Sequence, residues 1–152
     1  GTHGIQAMDL LGRKVLMEDG RGLTLLTQRM MASVTQAHSV PLLAPHAAAL
    51  VTALQQVTQA TQAAWSTGVP GEALANAVPY MQAFGHTVLA WIWLEVALTS
   101  LEKNATQSIA ACAGRIRATA YFYHYELPKV QAWLNVVERR DMTCADMPED
   151  AF

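Results

Sequence analysis

The sequence contains little charge. Only 14% of its 152 residues are charged, whereas 52% are hydrophobic, and the formal net charge is −2. A disordered acidic or basic tail has the opposite composition, so that class of protein is excluded. A chain this close to neutral does not attract nucleic acid through bulk electrostatics, and we expect no nucleic-acid partner.

Cysteine is also scarce. Cys112 and Cys144 are the only two, and they lie far apart without Cys-x-x-Cys spacing. This distribution excludes a disulfide framework and a thiolate zinc site, and it favours a reducing compartment, for which we expect the cytoplasm. The first residues carry several charges, so they do not form the apolar core of a signal peptide.

Motifs that carry chemistry are missing as well. The five histidines form no His-Glu-x-x-His or Glu-x-x-His pattern, so no metal site is predicted. No glycine-rich phosphate loop follows a strand, no Gly-x-Ser-x-Gly motif occurs, and neither cysteine has a histidine beside it in the sequence. We therefore predict no catalytic residue within the chain.

Strand signals are almost absent, because apolar and polar residues do not alternate over any long stretch. Glycine and proline instead divide the chain into long amphipathic helices joined by short links, which predicts an all-α, up-and-down bundle of about five to six helices. The predicted helices run from Ile5 to about Val15, from about Leu23 to His38, from Pro45 to about Ser66, from about Glu72 to Glu102, from an N-cap at Thr106 to about Leu127, and from Val130 to about Arg140. A turn is predicted at Met17 to Gly22, and Pro79 predicts a kink or short break near Val78.

The strongest apolar stretch runs from Thr87 to Leu101. It is shorter than the roughly 20 residues that a bilayer span needs, and Glu95 interrupts it, so we predict a buried central helix rather than a membrane span. A buried carboxylate needs a partner, and Arg115, Arg117 and His124 on the next helix are candidates. A structural ion pair and a perturbed catalytic acid both fit Glu95, although no companion residue for catalysis is evident.

Three further features each allow a structural and a functional interpretation. The aromatic run Tyr121 to Glu126 either locks a helix end into the core or forms a stacking platform for a ligand. Four arginines in the C-terminal part of the chain either cap carboxylates and helix ends or form an anion site: Arg115, Arg117, Arg139 and Arg140. Between Arg29 and Glu95 the only formal charge is Glu72, so the third helix is either an ordinary polar surface helix or a face packed against another domain or subunit.

The opening residues GTHGIQAMDLLGRK, from Gly1 to Lys14, resemble the stretch of acyl-CoA dehydrogenases that begins Tyr-Glu-Gly-Thr and runs through Gly-Ile-Gln-Ala to Asp-Leu-x-Gly-Arg-Lys. Two later segments, PYMQAFGHTVLAWIWLEVAL (79–98) and ATAYFYHYELPKV (118–130), are similar to the extra C-terminal helical region of one subgroup of that family. The closing residues DMPEDAF (146–152) are similar to the end of the same subgroup.

This resemblance implies α,β-dehydrogenation of acyl-CoA thioesters in fatty acid metabolism, with FAD as the cofactor of the intact parent protein. In the family, the catalytic glutamate stands directly before the Gly-Thr pair, and this chain does not contain it. Gly1 then corresponds to a residue at the substrate thioester, and Thr2, His3 and Gly4 to residues that touch FAD. Gly4 departs from the glutamine of many relatives. The resemblance implies that the isolated chain is inactive and holds no cofactor.

The same resemblance divides the chain into residues 1–15, the end of the dehydrogenase's C-terminal helical domain, and residues 16–152, an additional helical bundle. The implied partners are the rest of the dehydrogenase chain, further copies in a homo-oligomer and the acyl-CoA substrate of the parent. Two other interpretations are a stand-alone helical interaction module and a peripheral membrane element. A membrane is the less expected partner, because the helices lack a basic stripe.

Overall fold

A computed structural model describes residues 2–102 and 108–151. Within these residues every regular element is a helix, which confirms the predicted all-α bundle. The α-helices are α1 (His3–Asp9), α2 (Met17–His38), α3 (Ala44–Ala64), α4 (Pro70–Leu74), α5 (Ala77–Glu102), α6 (Ile109–Tyr121) and α7 (Lys129–Glu138). Two π-helices follow α1 and α6, at Leu10–Lys14 and Phe122–Glu126, and a 3₁₀ turn lies at Glu149–Ala151.

The predicted turn near the start of α2 is confirmed. Glu18, Asp19 and Gly20 have φ values of 49°, 53° and 79°, which places all three in the left-handed region and breaks the helix direction. Glycine adopts this conformation readily, whereas Glu18 and Asp19 adopt it at a cost of about 1 kcal/mol each or more. Regular helix therefore begins only after Gly20.

The helix predicted from Glu72 to Glu102 is interrupted by a short break, as predicted, but the break lies slightly before Val78. The chain breaks at residues 75–76, between α4 and α5, and Pro79 lies in the first turn of α5 rather than inside a continuous helix. The reason is that the first N–H groups of a helix have no intrahelical acceptor, so a proline there removes no hydrogen bond. Pro79 thus marks the start of α5 and does not kink it.

The helix after α5 also begins later than predicted. Ser108 directly precedes α6, whereas the predicted N-cap at Thr106 lies outside the described residues. The far end of the predicted helix is close to its predicted position, because the π-helix carries the chain on to Glu126. Pro128 then directly precedes α7, at the predicted corner.

Helix α5 is the centre of the bundle and packs against α2, α3, α6 and α7. Its inner face carries Ala83, Ala90 and Ala97, all fully buried, and these small side chains let neighbouring helices approach closely. The largest fully buried side chains of the core are Leu11, Met30, Leu43, Leu50, Tyr80, Leu94, Val130, Leu134 and Val137.

The N-terminal segment packs into this same core. Ala7, Leu11 and Val15 are buried, and the indole N–H of Trp65 at the end of α3 donates to the Leu11 carbonyl at 3.1 Å. That bond satisfies a carbonyl near the end of the first helical segment, where backbone acceptors lack intrahelical partners. The segment before α2 is thereby joined to α3 as well as to α5.

Helix α5 is less completely buried than its sequence predicts. By length and composition it could cross a membrane, and it is the one helix of the described residues that could. Only 33% of its most apolar stretch is buried within the bundle. One face of the central helix is therefore apolar and exposed.

Candidate functional site

The residues predicted to contact FAD form the first turn of α1. Thr2 precedes the helix, and its carbonyl accepts a hydrogen bond from the backbone N–H of Gln6 at 2.9 Å. Thr2 and His3 are exposed, and His3 Nε2 lies 3.3 Å from the amide nitrogen of Gln82 on α5. A side chain at Gly4 would meet nothing within 4 Å.

This turn offers exposed polar groups but does not enclose a ligand. Thr2, His3 and Gly4 are consecutive in the chain, and His3 contacts Gln82 of α5. Gly1, the predicted substrate-binding residue, lies outside the described residues. The cofactor and substrate contacts of these four residues remain predictions.

Glu95 is bound by side chains of α2. Its Oε1 accepts a hydrogen bond from the Ser33 hydroxyl at 2.8 Å, and the same hydroxyl accepts one from the indole N–H of Trp91 at 2.8 Å. The Arg29 guanidinium lies 3.9 Å from Glu95. Arg115, one of the predicted partners, lines the open groove beside this site.

This arrangement favours the structural interpretation of Glu95. Its side chain is 40% exposed, so the carboxylate reaches solvent and does not need a full ion pair. Sequence analysis missed Ser33 and Arg29 because spacing indicates which residues share a helix but not which neighbouring helix lies closest. Ser33 is 62 positions away, and nothing in its sequence context marks it as a carboxylate partner.

The aromatic run from Tyr121 to Glu126 divides between core and surface because it forms a π-helix. The backbone N–H of Leu127 bonds the Phe122 carbonyl at 2.9 Å, five residues back, and this wider turn directs two consecutive side chains inward. Phe122 and Tyr123 are both buried. Tyr121 and Tyr125 are exposed and stack on each other with ring centroids 4.9 Å apart.

Tyr123 is the residue that locks this segment into the core, as the structural interpretation predicted. Its hydroxyl donates to the Ala90 carbonyl of α5 at 2.9 Å. Burial raises the pKa of the Tyr123 hydroxyl above its usual range. A phenol in this position stays protonated and acts as a permanent donor rather than as an acid or base.

A polar cluster beside the π-helix Phe122–Glu126 was not predicted from the sequence. His86 Nδ1 hydrogen-bonds the Gln82 carbonyl at 3.1 Å, and since a carbonyl only accepts, Nδ1 carries the proton. Nε2 of His86 lies 3.4 Å from Glu126, which also binds Lys129 at 2.7 Å. The hydrogen bond from Lys129 is the main reason that the pKa of Glu126 is lowered. The Trp133 ring packs edge-on against His86 with centroids 4.6 Å apart.

One member of the predicted arginine cluster, Arg140, forms a structural ion pair. Arg140 binds Glu72 at 3.2 Å, and Glu72 also accepts a hydrogen bond from Thr67. This contact fixes the end of α7 to the start of α4. Within the described ranges, no group of three or more histidine, cysteine or acidic side chains is positioned to hold a metal ion.

The resemblance of this chain to known proteins rests on its helical bundle and not on a reactive centre. The family model described as acetyl-CoA dehydrogenase C-terminal like matches residues 26–148. The chain belongs to this family. The match identifies the bundle as an acyl-CoA dehydrogenase C-terminal helical region, as the sequence predicted, and it does not include the opening segment with Thr2, His3 and Gly4. A comparison with curated proteins gave no match.

One histidine of this C-terminal region gives a testable pH dependence. The His46 ring stacks on Tyr123 with centroids 4.5 Å apart and meets His124 edge-on at 5.8 Å. Burial, and secondly the charge of His124, lower the pKa of His46. As the pH falls through the ordinary histidine value of about 6.5, the unfolded chain therefore takes up a proton before the folded chain does.

We expect the melting temperature to fall across this acidic range, and His46→Gln to reduce the slope. Because the ring is only partly buried, solvent screening keeps the change to a fraction of about 1 kcal/mol. Thermal melts followed by circular dichroism between pH 7.5 and pH 5.5, roughly one unit either side of the ordinary histidine value, measure it. Thr35→Gln, at an exposed position of α2 without a titratable side chain, is the control and should leave the slope unchanged.

Proposed function

We propose that this chain is the non-catalytic C-terminal helical bundle of an FAD-dependent acyl-CoA dehydrogenase, and that it packs against the rest of that enzyme. The family assignment supports the parent activity. The packing role is supported by the exposed face of α3, which carries no formal charge over its whole length. Its exposed polar residues are Thr52, Gln55, Thr58, Gln59 and Gln62.

A face of this kind suits a contact with protein better than it suits solvent alone. Burying a charged side chain against a partner is costly unless it is paired, whereas threonine and glutamine lose little and can hydrogen-bond across the contact. Beside the face, Met31 and Val51 line a shallow groove between α2 and α3. The face therefore combines neutral donors and acceptors with apolar surface.

The chain's own groups support a packing role rather than chemistry. Glu95, Tyr123 and Glu126, the groups that sequence or geometry singles out, each have partners within the bundle. When the parent enzyme binds FAD, the cofactor supplies the hydride acceptor. Thr2, His3 and Gly4 would contribute contacts to it from the exposed first turn of α1, and the bundle would hold that turn in place through Gln82.

The purified chain tests whether the chemistry belongs to the rest of the parent enzyme and not to this bundle. We expect it to carry no flavin absorbance and to show no acyl-CoA-dependent reduction of an electron acceptor. Reading the encoding gene upstream of Gly1 then tests the parent: a flavoprotein ending in Tyr-Glu directly before Gly1 supports the proposal. A gene that encodes no flavoprotein there, or turnover by the isolated chain, overturns it.

Substitutions in the full-length parent enzyme test whether the exposed face of α3 contacts the rest of that enzyme. Gln55→Lys combined with Gln59→Lys is expected to lower the melting temperature and the flavin retention of the full-length flavoprotein, because two charges would lose water at the contact. Gln28→Lys combined with Gln36→Lys adds the same charge to positions on α2 and is the control. Equal effects from both pairs would show that the α3 face is not the contact.

A further inference from the structure

Two histidines from distant parts of the chain meet at the surface of the bundle. His46 lies in the first turn of α3, and His124 lies in the π-helix Phe122–Glu126 that follows α6. Their ring centroids are 5.8 Å apart, and the two ring planes cross at 67°. We call these two residues the histidine pair. The packing role proposed above makes no use of either ring.

The ring nitrogens of the histidine pair have no partner in the part of the chain that the structure describes. Neither His46 nor His124 makes a hydrogen bond or an ion pair there through its ring, whereas Nδ1 of His86 is hydrogen-bonded to the Gln82 carbonyl. No buried side-chain nitrogen of the described residues lacks a partner, so the nitrogens of the half-buried His46 reach solvent. Each ring therefore keeps a nitrogen lone pair available to a ligand.

The histidine pair combines a fixed ring with an adjustable one. The His46 ring stacks on Tyr123 with centroids 4.5 Å apart and planes 26° apart, and Tyr123 is itself bonded to the Ala90 carbonyl of α5 at 2.9 Å. His124 is exposed, so its ring can rotate towards the side on which His46 lies. A donor that is already held in place lowers the entropic cost of binding a ligand between the two rings.

We propose that the histidine pair binds one divalent transition-metal ion of the Zn²⁺, Ni²⁺ and Cu²⁺ class, through one nitrogen of each ring. Neutral imidazole is the commonest protein ligand for these ions, whereas Mg²⁺ and Ca²⁺ prefer oxygen. Two imidazoles bonded to one such ion at about 2.0–2.1 Å have ring centroids about 5–6 Å apart. The observed spacing of 5.8 Å is that of two rings sharing an ion.

The site has two protein ligands, so it is open, and water or an external ligand completes the coordination of the ion. The sequence gives no metal-site spacing because His46 and His124 are brought together only by the packing of α3 beside the π-helix. A bound ion joins these two segments, and because it binds the folded chain it stabilises that state. This binding goes beyond the proposed packing role and does not depend on it.

Isothermal calorimetry with Zn²⁺ on the tag-free chain tests the site. Every sample carries His3→Gln, because an α-amino group with a histidine two residues further on binds ions of the same class. We expect one ion per chain. His46→Gln and His124→Gln should each weaken binding about tenfold or more, since even the loss of a hydrogen bond to a metal ligand has an effect of that size.

His38→Gln is the matched control for calorimetry. His38 is an exposed histidine at the end of α2 and has no second ring beside it in the described chain, so its replacement should leave the dissociation constant unchanged. Absence of Zn²⁺ binding overturns the proposal. So does binding that is unchanged in both His46→Gln and His124→Gln, because the ion then lies elsewhere.

Thermal melts separate the loss of a ligand from a failure to fold. At a Zn²⁺ concentration about a hundredfold above the dissociation constant, the melting temperature should rise by roughly 5–10 °C. Because His124 is exposed, His124→Gln should melt normally without the ion and lose most of this rise. Mg²⁺ at the same concentration should give no rise. An equal rise with Mg²⁺, or an undiminished rise in His124→Gln, contradicts the proposal.

Nuclear magnetic resonance locates the ion independently of any substitution within the pair. Paramagnetic Ni²⁺, added in small amounts to the His3→Gln chain, should broaden the ring-proton signals of His46 and His124 before those of His38 and His86. Broadening that begins at His38 or His86 overturns the assignment. These measurements leave the proposed function untouched, because flavin absorbance, turnover and the upstream gene decide that separately.

Discussion

Replacing Leu94 by alanine is expected to lower the free energy of unfolding by about 2–5 kcal/mol. Leu94 lies on the inner side of α5 and has no exposed surface, so the substitution removes buried methyl groups and leaves a cavity. The helices around it meet through alanines, whose backbones are already close, so they can relax little into the space. For a domain of this size the whole stability is about 5–15 kcal/mol, which makes this loss a large share.

Denaturant unfolding followed by circular dichroism measures this loss as a shift in the midpoint with little change in slope. Leu25→Ala is the matched control, since Leu25 is also in a helix but is 54% exposed. It should change stability by less than about 0.5 kcal/mol. If both variants lost the same amount, α5 would not be the centre of the core, and the packing described for this bundle would be wrong.

The helical architecture was predictable because it depends on local signals. Glycine and proline mark the breaks, and the turn at Glu18 to Gly20 was predictable for that reason. Pro79 shows the limit of such signals, since a proline fits both the interior kink and the first turn of a helix. Which of the two occurs is decided by the break after α4, and Asn76, in that break, hydrogen-bonds the Asp141 carbonyl from far along the chain.

The side-chain contacts were predictable only in kind. The sequence indicates that Glu95 needs a partner and that Tyr123 needs an acceptor, but it does not indicate Ser33 or the Ala90 carbonyl. These contacts depend on the rotation and offset of whole helices, which are set by the fit of many small side chains together. The π-helix at Phe122–Glu126 was likewise not predicted, because its wider turn is stabilised by burying Phe122 and Tyr123 side by side.

Thr61 and Tyr80 form a buried hydrogen-bonded pair whose two members should respond differently to substitution. The Thr61 hydroxyl donates to the Val57 carbonyl at 2.7 Å, so at the 2.7 Å contact between the two hydroxyls it is Tyr80 that donates and Thr61 that accepts. Tyr80 is fully buried, and burial raises its pKa to about 12. Its hydroxyl therefore has this one partner and no access to water.

Thr61→Val should cost more than Tyr80→Phe. Valine keeps the shape of threonine but leaves the buried Tyr80 hydroxyl without an acceptor, a loss of about 1–3 kcal/mol. Phenylalanine removes the donor and leaves Thr61 still bonded to Val57, so only about 0.5–1.5 kcal/mol is lost. The double substitution should cost less than the sum of the two, because once the tyrosine hydroxyl is also removed, no side-chain polar group of the pair is left unsatisfied.

Denaturant midpoints of the three variants at pH 7 measure this order, and alkaline melts provide a second readout. Because the pKa of Tyr80 is raised in the folded chain, the unfolded chain loses its proton first above pH about 10, and stability falls as the pH rises towards 12. Tyr80→Phe should remove part of that decline, while Thr61→Val should retain it. An equal cost for the two single variants at pH 7 would show that water reaches the pair and that the region between α3 and α5 is more open than the packing of Tyr80 indicates.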